Sequence, residues 1–354
     1  MKKSLVSALA VAFVLGTAST TFATPTDEEV AELRARIAEL ERIIKEQQNN
    51  SASNRDVENL DSRVSELEDK SAKPSWLDRF SIGGELRWSY WNRYKNSDAS
   101  NLQLRILPTF KIDEHFTVRS RFRATHNTQN DSRVATRLDW AYLDSRFGNL
   151  QINAGKMPLY TNVDRGLFAD SDFTGVQLIT GDKTKFTVNL GRWEDYAYAG
   201  AEVLHTANNF NIGVGYHYSK EQNVDKKEKV SVVTGGVGYK FTPDVELFGA
   251  VAHNSKLDKH KTAYNIELDY KGANKAEKGT WGAYVAYRYA PGGVSRKPTY
   301  NTFGQDTNKK GFEIGFSWTP YKNLVTDLAY FHGKIFDMPK LDDRTLFARA
   351  RVFF

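Results

Sequence analysis

From Phe80 to its last residue the chain alternates apolar and polar positions in short runs separated by turn-forming residues. The final run, Arg344-Thr345-Leu346-Phe347-Ala348-Arg349-Ala350-Arg351-Val352-Phe353-Phe354, has apolar residues at 346, 348, 350, 352 and 354 and arginines on the other parity. A period of two puts alternate side chains on opposite faces of a strand. Sixteen runs of this kind can be laid out, at about 80–91, 101–110, 115–125, 133–144, 149–156, 174–180, 185–193, 199–206, 210–219, 230–240, 244–255, 262–271, 280–290, 309–318, 323–332 and 343–354. Most approach the ~9–11 residues of a tilted membrane strand. One such run would suit a soluble sheet equally well; their recurrence predicts an all-β fold, a sixteen-stranded antiparallel transmembrane barrel over 80–354.

The connections carry a second pattern. Even-numbered ones are short, as at 111–114, 146–148, 181–184, 242–243 and 319–322, whereas 157–173, 220–228, 291–308 and 333–342 among the odd ones are long. Short turns on one side and long loops on the other are the habit of bacterial outer-membrane barrels. The segment 272–279 is the exception, long for a turn. Trp88, Tyr90, Trp140 and Tyr142 at strand ends suit an interfacial aromatic girdle.

Ahead of the barrel the periodicity changes. Val30, Leu33, Ile37, Leu40 and Ile44 follow three-four spacing, and Val57, Leu60, Val64 and Leu67 repeat it out of register after a polar break at 47–53. The narrow stripe predicts a short helical coiled coil over 24–73, ended by Pro74 and joined to the barrel by a linker at 74–79. A single helix folded against the barrel is the alternative, and the stripe is too short to choose between dimer and trimer. Met1-Lys2-Lys3, the apolar run Leu5 to Gly16 and Thr21-Phe22-Ala23 read as a signal peptide over 1–23. No later stretch has the ~20 apolar residues of a spanning helix. The chain has no cysteine, so disulfides are excluded and packing or a closed sheet must hold the exported fold.

The sixteen-strand layout, the terminal Phe354 and a long third loop, running from Gly155-Lys156-Met157-Pro158-Leu159-Tyr160 to Asp170-Ser171-Asp172-Phe173-Thr174-Gly175, together resemble the general bacterial outer-membrane porins. The coil before the barrel resembles the envelope-anchored porins of diderm Firmicutes, although the surface-layer-homology domain common there does not stand here. The resemblance implies a homotrimer in outer-membrane lipid and lipopolysaccharide, with the coil in the periplasm. It also implies a third loop folded into the lumen, and Phe354 as the signal read by the barrel-assembly machinery.

The chemistry lies in the inward charges. Alternation puts Arg87, Arg105, Arg119, Arg121, Arg123 and Arg137 on the lumen side of the first four strands, because an arginine facing lipid near the midplane costs ~2–4 kcal/mol. The third loop offers Asp164, Asp170 and Asp172 opposite. A basic wall facing acids makes a transverse field that orients hydrated solutes. Two readings stay open at this point: selectivity by the arginines, or arginines merely paired with lumenal carboxylates, the loop acids serving only to pin the loop. The chain's net charge is +6, and its acidic excess lies before residue 80, so the barrel weakly favours anions. No Gly-x-Ser-x-Gly or His-Glu-x-x-His motif occurs and the seven histidines are scattered, so no enzyme, cofactor, metal site or nucleic-acid binding is expected. The expected function is passive diffusion of small hydrophilic solutes. Its rival is a structural tether or spacer that contacts the cell wall through the coiled coil.

Overall fold

The computed structural model describes residues 27–48, 59, 62–64, 77–94, 98–130, 133–221, 229–303, 307–336 and 338–354. The expected leader, the start of the linker and most of the second apolar run (Val57, Leu60 and Leu67) lie outside them. The chain divides into two units, Met1–Pro74 and Ser75–Phe354.

In the first unit, helix α1 spans Asp27–Gln48. Good helix formers fill it, and Glu32–Arg36 (3.2 Å) and Glu39–Arg42 (3.1 Å) pair along its surface. Lys45 in the last turn complements the helix dipole. Of the expected coiled coil, the described residues show this helix, with Ile37, Leu40 and Ile43 exposed.

The second unit opens with a 3-10 turn, Leu77–Arg79, and continues as sixteen strands. They are β1 (Phe80–Arg93), β2 (Ala99–Lys111), β3 (Phe116–Asn127), β4 (Ala135–Phe147), β5 (Leu150–Tyr160), β6 (Asp170–Thr180), β7 (Thr184–Trp193) and β8 (Tyr196–Ala207). The second half comprises β9 (Phe210–Glu221), β10 (Lys229–Thr242), β11 (Val245–Asn254), β12 (Thr262–Lys271), β13 (Trp281–Ala290), β14 (Lys309–Tyr321), β15 (Leu324–Ile335) and β16 (Met338–Phe353). Each pairs antiparallel with its neighbours in sequence, and β1 pairs with β16 to close the barrel. Closure satisfies every strand edge, which lets such a sheet stand in hydrocarbon. At the seam Leu86, Trp88 and Tyr90 face Val352, Ala350 and Ala348. Phe354 N donates to Gly84 O (3.1 Å), and Gly84 N donates to Phe354 O (3.0 Å). A Cβ at Gly84 would stand 2.4 Å from the Phe354 ring, so this glycine makes room for the terminal aromatic.

Alternate residues point out. Ile82, Leu86, Phe122, Leu190, Val214, Ile266, Phe312 and Ile314 belong to an exposed apolar belt far larger than a water-soluble monomer carries. Trp281, Trp318, Tyr321, Tyr239 and Phe241 add exposed aromatics near the ends of their strands. No described helix is long and apolar enough to cross a membrane, which does not bear on crossing by strands.

Two hairpins run further than their alternation suggests. β5 and β6 stay paired to Tyr160↔Asp170, and β15 and β16 to Ile335↔Met338. The connections expected at 157–173 and 333–342 shorten accordingly, because the backbone ladder continues past the end of the apolar pattern. The segment 272–280 is indeed the long turn on its side. Its Lys275 O accepts from Asn323 N (2.6 Å) and its Gly279 N donates to Thr319 O (2.7 Å), so it packs on the adjoining turn.

The lumen is divided. Residues of β5 to β8, β10 to β13 and β15, among them Met157, Phe173, Trp193, Tyr198, Val232, Phe248 and Phe331, form a packed core with Leu167, Phe168, Val294, Tyr300 and Phe303 from two inward-folded loops. Inward residues of β1 to β4 and β16 are largely arginines, and this sector stays open.

Candidate functional site

The β5–β6 connection, 161–169, crosses the lumen and is tied down by its backbone. Glu202 on β8 accepts from Asn162 N (3.3 Å) and Val163 N (3.4 Å). The Val163 carbonyl presses on β10 so closely that a Cβ at Gly236 would fall 1.8 Å from it. Arg165 reaches the far wall, pairing with Glu246 and, at 3.5 Å, Asp269, with its guanidinium 4.0 Å over Phe248.

Asp164 is not where the sequence suggested. It is fully buried in the loop itself, accepting from Thr161 Oγ1 (2.5 Å), Gly166 N (3.1 Å) and Phe168 N (3.1 Å). Local turn geometry captures the carboxylate before it can face the wall. Burial pushes this carboxyl up to about 7, against the donors that favour its charged form. Asp170 and Asp172 do border the open sector, the latter 3.0 Å from Lys156 and 3.7 Å from Arg137.

The arginine wall is organised by three carboxylates. Glu85 bridges Arg87 (2.7 Å) and Arg105 (3.0 Å). Asp139, fully buried, holds Arg121 (2.8 Å), Arg123 (2.8 Å) and Arg137 (2.5 Å). Asp327 holds Arg349 (2.9 Å) and Arg351 (3.1 Å). Arg119 stands outside the open sector, on Asp144 at 2.9 Å.

Asp139 owes its place to a β-bulge. Arg121 pairs with Trp140 and Phe122 with Leu138, so Asp139 is the extra residue of β4. The bulge reverses the parity beyond it. Trp140 and Tyr142, expected in a lipid-facing girdle, share the face of Arg121 and Arg119 and point inward; Tyr142 packs against the lumenal core. Trp88 remains exposed, stacked on Tyr90 at 6.2 Å.

The open sector is a cavity of about 1140 Å³. Nine cations line it: Arg87, Arg105, Arg121, Arg123, Arg137 and Arg349 on the wall, with Lys156, Arg192 and Lys297 beyond. Its three lining carboxylates are Asp170, Asp172 and Glu194. The side opposite the wall is therefore mixed rather than acidic, since Lys156, Arg192 and Lys297 lie among its carboxylates. Strand alternation already gave Arg349 its inward parity, but Arg192, Lys297 and the carboxylates' pairings depend on which strands and loops meet, which no local pattern states. Among the described residues no group of three or more His, Asp or Glu is placed to hold a metal ion.

No family model matches the chain and no curated protein does. Solved structures do. OmpT of Vibrio cholerae, in a form lacking its loop L8, superposes with a TM-score of 0.50 at 12% identity, covering 78% of this chain and 99% of that one. A double mutant of the Rhodopseudomonas blastica porin superposes with a TM-score of 0.52 at 12% identity, covering 78% of this chain and 100% of that one. Likeness at this identity establishes the sixteen-stranded barrel fold.

Proposed function

We propose that this protein is an outer-membrane porin: a water-filled channel for passive diffusion of small hydrophilic solutes and ions, with a weak preference for anions. The observation that carries this reading is the basic cavity, enclosed by a barrel whose exterior is apolar. The nine lining cations outnumber the three lining carboxylates taken together with Glu85, Asp139 and Asp327, which pair with the wall, so a residual positive charge raises the local concentration of anions, and the charged walls offer nothing to a solute that cannot keep or replace its water. Arg87, Arg105, Arg121, Arg123 and Arg137 set the selectivity, with Asp170 and Asp172 opposite; Arg119 and Asp164 serve the wall and the loop from behind.

The same reading places the protein in the outer membrane as a homotrimer amid lipid and lipopolysaccharide, delivered by the barrel-assembly machinery through Phe354. The exposed Ile37, Leu40 and Ile43 favour a second, compatible role in which α1 joins a partner helix and acts as a periplasmic spacer or tether to the cell wall. Proteoliposome swelling in sugars of graded size, with planar-bilayer recording of the same preparation, tests the channel. Size-dependent swelling and stepwise conductance are expected. Purified, folded protein that gives neither sinks the channel and leaves the tether.

A further inference from the structure

Resting on the channel reading, we infer that the segment 291–303 is a second constriction element, and that Lys297, Thr299 and Asn301 determine which solutes pass along the arginine wall. The segment leaves β13, folds into the lumen and zips onto the third loop. Arg296 N and Lys297 N donate to Phe168 O (3.0 and 3.2 Å), Thr299 N donates to Gly166 O (3.0 Å), and Asp170 N donates to Lys297 O (2.6 Å). Ala169 and Lys297 form a parallel bridge. The segment then crosses to the seam of the barrel, where Asn301 O accepts from Trp91 Nε1 (2.8 Å) and Asn301 Oδ1 accepts from Arg349 (3.2 Å).

Between these anchors its side chains alternate. Tyr300 and Thr302 are buried on the packed side, Tyr300 with the Arg288 guanidinium 3.7 Å over its ring, whereas Lys297, Thr299 and Asn301 line the cavity. Lys297 pairs with Glu194 at the β7–β8 connection, and Thr299 Oγ1 donates to Asp170 (2.8 Å). The backbone ladder makes the third loop and this segment one partition between the packed and open sectors. The solute-facing side of that partition is built as much from 297–301 as from Asp170 and Asp172. Its rigidity comes from hydrogen bonds at both ends, so it narrows the path permanently, and its chemistry of one lysine, one hydroxyl and one amide adds polar contacts without net negative charge.

The absence of native cysteine allows a direct test. In Thr299→Cys, reaction with a bulky neutral methanethiosulfonate is expected to lower single-channel conductance by roughly twofold or more, and an anionic reagent to shift the reversal potential toward cations at low salt. Lys259→Cys, on the exposed β11–β12 connection, is the control and is expected to change neither. Asn301→Cys reads the same element from its other end should Thr299→Cys not assemble. If the unsubstituted protein conducts but mass-verified labelling at both positions leaves conductance and selectivity unchanged, the second constriction is wrong and the channel stands. If the unsubstituted, folded protein conducts nothing, the channel reading itself has failed, and this inference with it.

Discussion

The guanidinium of Arg121 stands 3.7 Å over the ring of Trp140, its register partner across the β3–β4 ladder. That contact exists because Asp139 bulges out of β4, turning an aromatic of the membrane-facing parity into the lumen and aiming its own carboxylate at three arginines. A cation over an indole face is worth ~0.5–2 kcal/mol.

Removing the carboxylate tests how far the wall depends on it. Asp139→Ala leaves Arg121, Arg123 and Arg137 mutually repelling beside a buried gap, and a loss of ~3 kcal/mol in stability is expected. Urea titration followed by the heat-modifiable shift of the folded band on a gel reads it. An unchanged midpoint would mean that water, rather than Asp139, neutralises the cluster. Channels that survive should be more anion-selective than the parent.

Gly236 is expected to be the steric seat of the third loop. A side chain there meets the Val163 carbonyl, and Gly236→Val should displace the loop at a cost of about 1–3 kcal/mol, with larger and noisier single-channel currents. Gly249→Ala, where nothing lies within 4 Å of the added Cβ, is the matched control. Equal behaviour of the two variants would show that the loop does not bear on β10.

The third loop should also loosen as pH rises. Asp164 has a carboxyl raised from its ordinary 3.8 to about 7 by burial, so the folded loop holds a proton that the released loop gives up. Its contribution to loop stability is full below about 3.8, declines as pH rises, and is gone above about 7. Hydrogen exchange of 161–169 between pH 5 and 8, corrected for intrinsic rates, should show falling protection, and Asp164→Asn should flatten the slope. Protection that instead rises with pH would mean the carboxylate is stabilised by its three donors more than burial disfavours it.

The sixteen strands were legible because one buried and one apolar face impose a period of two, and most boundaries fall within a few residues of that pattern. The limits of local reading show at specific residues. Trp140 and Tyr142 changed face because one extra residue in β4 inverts parity, and a bulge leaves no mark on alternation. Asp164 was legible as a loop acid but not as a buried one, since Thr161 and the amides of Gly166 and Phe168 come together only when the loop closes. The division of the lumen was beyond reach. Phe168 and Val294 stand on loops and Phe331 on β15, far apart in sequence, and no local pattern states that they meet. In α1 the three-four periodicity was legible and Ile37 and Leu40 of that stripe are exposed, but periodicity alone does not name the surface that covers them.

The central claim is that ions cross through the arginine-lined sector, and the reversal potential under a salt gradient tests it most directly. In a planar bilayer at low salt the native protein should give the sign of anion preference. Arg105→Ser, Arg121→Ser and Arg123→Ser combined should move it toward cations. The difference should shrink as screening shortens from ~10 Å at 0.1 M to ~3 Å at 1 M salt. A native channel with the cation sign, or a triple variant with the parent's potential at low salt, would contradict the account by placing the permeation path away from the arginine wall.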